Sequence, residues 1–199
     1  MAVKKIAKNP EASRLSRDDW LDAAFDAVAE GGFDKVRVLV LAEKLGVTRG
    51  SFYWHFTDHA DLIAALLSRW REREAVINNS IPGDELSDPH AVLEALLDAA
   101  LAHAGSELKN IRFELALRGL ARRDPAVEKI LINVDDLRME LFEKKFRRLT
   151  DDAEKATELA VLFYLAITGS HQALSRPSST PRMKDYLRRI IATHLIHRV

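Results

Sequence analysis

The sequence contains no cysteine. That excludes disulfides, thiolate ligands for zinc or iron–sulfur clusters, and a cysteine nucleophile. It is also the usage expected of a reducing cytosol, so a cytoplasmic protein is the expectation. Glycine and proline are scarce, at 8 and 6 of 199 residues, which excludes collagen-like and low-complexity chains. Long apolar runs are missing. The most apolar stretch, Leu159–Ile167, is far short of the roughly 18 residues that a membrane span needs. No apolar segment follows Lys4, Lys5 and Lys8, so the N-terminus does not read as a secretory signal. Net charge is absent as well, with 30 basic and 30 acidic residues. Whole-chain charge therefore argues neither for nor against a nucleic-acid partner.

What is present is an ordinary globular composition, 47% hydrophobic and 30% charged. A chain of this length buries roughly 70% of its unfolded surface and needs no staple. Charge is unevenly spread. Residues 1–17 carry a net +4 and residues 35–59 a net +2, compatible with a phosphate backbone at that end of the chain.

The pattern is helical throughout. Residues 1–15 lack periodicity and read as a flexible basic arm. Ser16 and Asp19 have capping-box spacing, with Leu15 and Trp20 placed as a hydrophobic staple. Leu21, Ala24, Phe25 and Val28 then mark one apolar face, and Gly31-Gly32 ends the helix. Short helices follow near Val38–Leu45 and Thr48–Phe56. Asp58 caps a long one to about Asn79, where Ile81-Pro82-Gly83-Asp84 is a candidate boundary. Asp88-Pro89 and Asp124-Pro125 are start signals. The second begins a helix to about Leu149, and Thr150 or Asp151 caps another to about Leu174. A loop at Pro177–Pro181 precedes the last helix. No segment alternates long enough to form a strand. The expectation is an all-α protein of about nine helices.

The stretch Leu41–Phe56, LAEKLGVTRGSFYWHF, reads as helix, glycine turn and second helix. That is a helix-turn-helix, whose second helix can enter the major groove of DNA. Leu41, Ala42, Leu45, Val47 and Phe52 fall on the core side, leaving Thr48, Arg49, Gly50, Ser51, Tyr53, Trp54 and His55 outward. A tight helical hairpin with partly buried aromatics fits the spacing equally well.

Beyond spacing, Val36–Leu66 resembles the DNA-binding domain of the TetR family of transcriptional regulators. The signature is the Gly-Val turn, the Thr start, Tyr53-x-His55-Phe56, and the TDHADLIAALL that follows; the detailed likeness covers about residues 13–70. The resemblance implies a homodimeric regulator of double-stranded DNA, commonly a repressor released by a small effector. It also implies a helix-turn-helix domain over 16–60 and a ligand-binding and dimerisation domain over 61–199. Carried over residue by residue, Tyr53 and His55 hold phosphates, and Trp54 lies against sugar–phosphate or packs inward. Arg49, Gly50 and Ser51 face the bases, and Arg49 has the fork that suits guanine. Thr48 caps the recognition helix, and Lys44 and Arg37 are phosphate candidates. The sequence departs from the family in three places. Val36-Arg37-Val38 lacks the usual Ser or Thr cap, Leu39 stands where some members read bases, and His59, itself a DNA-contact candidate, replaces a Lys or Arg aimed at phosphate.

Elsewhere, His103, Arg112, Glu114, Arg118, Tyr164 and His171 are polar groups in largely apolar helices. With Phe113 and Phe142 they are the candidate ligand-pocket residues for an unidentified organic effector. Phe163 and Ile167, with Tyr186, Leu187, Ile190, Ile191 and Leu195, form the expected dimer seam of the last two helices. No GxGxxG, GxxxxGK[ST], GxSxG or HExxH motif occurs, and no metal or cofactor is expected. An enzyme therefore has no positive support in the residues. A DNA-binding architectural or division-linked factor without an inducer, and a helical small-molecule carrier or enzyme, are the other readings the sequence leaves open.

Overall fold

The computed structural model describes residues 15–80, 88–106, 108–175 and 181–198, with the side chains of 77–80, 102–106, 174 and 181 excepted. Nine α-helices and no strand are found among them. The expected basic arm apart from Leu15, the expected break at 81–84 and residues 177–180 of the expected loop lie outside the described residues.

Helix α1, Arg17–Gly31, starts where the sequence signals it. The Ser16 hydroxyl accepts from the Asp19 amide at 3.2 Å, and the Asp19 carboxylate accepts from the Ser16 amide at 2.6 Å. Gly32 stops it at φ +83°, a conformation that a side chain disfavours. A 3-10 turn at Phe33–Lys35, absent from the sequence-based expectation, leads to α2, Val38–Lys44. Gly46 at φ +69° makes the turn to α3. The regular part of α3 is a single turn, Arg49–Phe52, and residues 53–55 continue as turns. This is shorter than the predicted 48–56.

Helix α4 runs His59–Ser80, with the Asp58 carboxylate accepting from the Asp61 amide at 2.9 Å. Helices α5, Pro89–Ser106, and α6, Leu108–Ala121, follow. Helix α7 spans Pro125–Phe146, with Asp124 as its cap and proline in its first turn. It ends three residues before the predicted Leu149. Helix α8 spans Ala153–Leu174 and is capped by Asp152, not by Thr150 or Asp151. The Asp152 side chain reaches the amides of Glu154 and Lys155. Helix α9, Pro181–Ile191, passes into a π-helical turn, Ala192–Ile196.

Two cores hold these helices. The first gathers Trp20, Leu21, Ala24 and Val28 of α1 with Leu41, Ala42, Phe52, Phe56, Leu62, Leu66 and Trp70, and receives Phe113, Leu117, Val127, Leu131 and Val134 from α6 and α7. The second joins Leu93, Leu96, Leu97 and Leu101 of α5 to Phe142, Phe146, Ala160, Phe163 and Ile191. The short α2 and α3 stand as helices because the first core fixes their inner faces, since isolated helices of this length are marginal in water.

Candidate nucleic-acid interface

The recognition helix is anchored from below by one residue. Phe52 is fully buried, edge-on to Trp20 at 5.3 Å between ring centroids and stacked on Phe56 at 5.4 Å. Removing a buried phenyl ring of this kind costs about 3–5 kcal/mol. With Phe52 fixed, helical geometry turns its neighbours outward. Tyr53 is 51% exposed and Trp54 87% exposed. Trp54 is therefore not a core residue. Arg49 and Gly50 are exposed, and Ser51 and His55 are half-buried. A Cβ on Gly50 would meet only the Thr48 hydroxyl, at 3.6 Å, so the helix surface here is open to a close partner.

Arg49 and Tyr53 engage each other one turn apart. The guanidinium donates to the Tyr53 phenol at 2.8 Å and lies 5.7 Å from its ring centroid. One expectation fails on geometry. Thr48 occupies the N-cap position of α3 with the right backbone, but its side chain makes no cap hydrogen bond. Lys44 leans back onto α1, 3.7 Å from Asp26 and 3.6 Å from Glu30, so its charge is compensated within the chain. Arg37 stands at the N-cap of α2 without capping it, and its Nε donates to the Asp34 carbonyl at 3.3 Å. His59 points Nε2 at the Val36 carbonyl, 2.7 Å away. His55 and His59 are separated by the break at 57–58, as the sequence indicated. Leu39 and Val40 of α2 are large, apolar and exposed beside this surface; the sequence marked Leu39 only as a lost polar position.

A model of bacterial regulatory proteins, tetR family, matches residues 21–66. The HTH-type transcriptional regulator TtgR of Pseudomonas putida is 29% identical over 92 residues, 46% of this chain and 44% of that protein. The uncharacterized HTH-type transcriptional regulator TtgW of the same species is 32% identical over 112 residues, 56% of this chain and 79% of that one. The chain belongs to the tetR family of bacterial regulatory proteins. A TetR-like transcriptional regulator from Rhodococcus sp. RHA1 shares the fold at 20% identity, with a TM-score of 0.73 over 96% of this chain and 97% of that one. The alignment with TtgR spans less than half of that relative's length.

In the rest of this family member, only some of the candidate ligand residues assemble. Glu114, Arg118, Tyr164 and His171 come together. Phe113 and Phe142 do not join them: Phe113 stacks on Phe25 at 4.7 Å in the first core, and Phe142 meets Phe163 edge-on at 5.0 Å in the second. Arg112 donates instead to the Ser175 carbonyl at 3.3 Å. The His103 side chain lies outside the described residues. Two cavities found among the described residues, of about 370 and 260 Å³, lie against α1, lined respectively with α2 and with α4. Neither is in the region 89–174 where a pocket was expected.

The group that does assemble is a buried ionic network. Glu114 is only 5% exposed. Its carboxylate accepts from Arg118 at 2.8 Å and from both terminal nitrogens of Arg138 at 3.0 Å. Arg138 also donates to Glu74 of α4 at 2.7 Å, and Arg118 to Asp135 at 2.8 Å. Burial alone pushes the Glu114 carboxyl up. The charge and hydrogen bonds of Arg138, with the charges of Arg118 and His171, overcome this and hold it at about 2. Burial pushes the Tyr164 phenol up as well, partly offset by Arg118. Glu74 and Arg138 were not singled out from the sequence. The readable signals were Glu114 and Arg118 at i, i+4 and Asp135 and Arg138 at i, i+3.

The expected dimer seam also needs correction. Phe163, Ile167 and Ile191 are buried within the chain's own second core, where Phe163 packs on Phe142 and Phe146. Leu187 and Leu195 are half-buried. The exposed apolar residues of α8 and α9 are Val161, Leu162 and Leu165 with Met183, Tyr186 and Ile190. Among the described residues no helix is long and apolar enough to cross a membrane.

Proposed function

We propose that this chain is a sequence-specific transcriptional regulator of double-stranded DNA, acting as a cytoplasmic homodimeric repressor that a small organic effector releases from its operator. The observation that carries the reading is the outward surface of α3. Arg49, Tyr53 and Trp54 project from a helix turn whose opposite side is locked by Phe52.

In this reading residues 16–60 hold the operator and 61–199 hold the effector and the partner copy. Tyr53 and His55 contact phosphates and set the register of the helix without reading sequence. Arg49 exchanges its contact with the Tyr53 phenol for guanine O6 and N7. Gly50 and Ser51 admit the base edges, and Trp54 lies along the sugar–phosphate wall. The exposed apolar faces of α8 and α9 pair with those of a second copy. The family membership and this surface support a regulator over an enzyme.

The effector acts on the cluster of Glu114, Arg118, Tyr164 and His171. The Arg138–Glu74 pair ties that cluster to α4, which follows the recognition helix directly. An effector that draws Arg138 or Glu114 away changes the seating of α4.

The test is binding of Tyr53→Ala and His55→Ala proteins to matched and random duplexes at fixed salt. Both variants, checked for folding by thermal melting, are expected to lose affinity for every duplex alike. Parent-like binding by both folded variants would remove the recognition-helix assignment.

A further inference from the structure

Two residues bracket the helix-turn-helix, and the structure joins them. Val36 precedes α2 and is buried, at 3% exposure. His59 is the first residue of α4, directly after the recognition segment. His59 Nε2 lies 2.7 Å from the Val36 carbonyl oxygen, across 23 residues of sequence. A carbonyl only accepts, so the imidazole donates. It can do so both as the neutral ring protonated at Nε2 and as imidazolium.

This hydrogen bond reaches a part of the motif that no side-chain cap holds. Neither α2 nor α3 has a side-chain cap at its start. Helices of seven and four residues have little stability of their own. The start of α4, by contrast, is well held. Asp58 accepts from the Asp61 amide at 2.9 Å, and Asp61 accepts from the Thr57 amide at 2.9 Å. His59 therefore reaches from a capped helix start to the uncapped start of α2.

We infer that His59 is a positioning residue, a latch from α4 to the Val36 carbonyl that sets the angle at which the recognition helix meets DNA. It takes the place of the direct phosphate contact that a Lys or Arg would make at this position. The inference rests on the DNA-binding reading of the motif, and its test separates the two.

The chemistry suggests paired variants. A glutamine amide nitrogen sits about where Nε2 sits, whereas an asparagine amide mimics Nδ1 and falls short of the carbonyl. The full-length parent, His59→Gln and His59→Asn are compared in two measurements. The first is amide hydrogen exchange of residues 38–56 in the free protein. The second is binding of a 30-base-pair random-sequence duplex between 50 and 200 mM salt. His59→Asn is expected to exchange faster in 38–56 alone and to bind roughly tenfold weaker. His59→Gln is expected to recover both to within about threefold of the parent. All three share one slope of log affinity against log salt, because no phosphate contact is lost.

Parent-like exchange in His59→Asn, or equal defects in Asn and Gln, overturns the latch. So does a salt slope reduced by about 1 or 2 in both variants with exchange unchanged, which makes His59 a phosphate contact after all. If His59→Asn does not fold, His59→Gln decides: parent-like exchange supports the latch and faster exchange overturns it. A parent that binds no duplex refutes the DNA reading, while the exchange data still decide the latch.

Discussion

Replacing Arg138 by methionine tests the buried network most sharply. The methionine keeps much of the volume and removes the charge. Arg138 is the guanidinium shared by Glu74, Glu114 and, at 3.5 Å, Asp135. Its loss leaves Glu114 with Arg118 and the weaker charge of His171, and Glu74 buried without this counter-charge. Breaking a buried pair in this way costs about 3–5 kcal/mol. An independent route gives the same scale. Glu114 is held at about 2 against an ordinary 4.5, and that depression corresponds to about 3 kcal/mol of folding stability. Because the folded-state value lies below the unfolded one, this stabilisation is complete above pH 4.5 and disappears as pH falls toward 2. In Arg138→Met the carboxylate loses its main support and stability no longer rises through that window. The assay is urea unfolding at fixed protein concentration, at pH 7 and at pH 4. The variant should be destabilised by about 3–5 kcal/mol at pH 7, with the gap to the parent narrowing at pH 4. A loss under about 0.5 kcal/mol at pH 7, or a loss of the same size at both pH values, would refute the electrostatic reasoning.

Two other consequences can be measured directly. Arg49→Ala should cost about 1–3 kcal/mol on a selected operator and relax discrimination at one base pair per half-site; a uniform loss across all duplexes would make Arg49 a phosphate contact. Leu165→Glu places a charge in the exposed α8 face. Each copy forfeits about 1.5–3 kcal/mol of apolar burial, so dimer affinity should fall by about two to four decades. Sedimentation at micromolar concentration reads this, and an unchanged dimer would move the interface elsewhere.

What could be read from the sequence follows from how local each signal is. The capping box at Ser16 and Asp19, the stop at Gly32 and the turn at Gly46 depend on neighbours within five residues, and all three stand in the structure. The inward side of the motif was legible for the same reason: Leu41, Ala42 and Phe52 are set by helical spacing, and all are buried. Where a side chain bonds across the fold, spacing was silent. Lys44 is claimed by Asp26 and Glu30, and His59 by the Val36 carbonyl 23 residues away. The α8 stripe misled for a different reason. A helix apolar nearly all round offers more than one face for burial, and periodicity cannot say which faces the chain's own core. Phe163 and Ile167 turned inward, and Leu162 and Leu165 outward. Phe113 and Phe142 were similarly ambiguous between pocket and core, and stacking on Phe25 and an edge-on contact with Phe163, respectively, place them in the two cores.

The central claim is that two copies of α3 read a two-fold DNA site. Selection of duplexes from a random pool by the full-length protein tests it most directly, with the bound sequences read out after several rounds. The expected product is an imperfect palindrome whose half-site centres lie about 34–36 Å apart, one helical turn, or a multiple of that. Arg49→Ala is expected to select the same palindrome with one position per half-site relaxed. Enrichment of no sequence, or of a motif without two-fold symmetry, would contradict the claim.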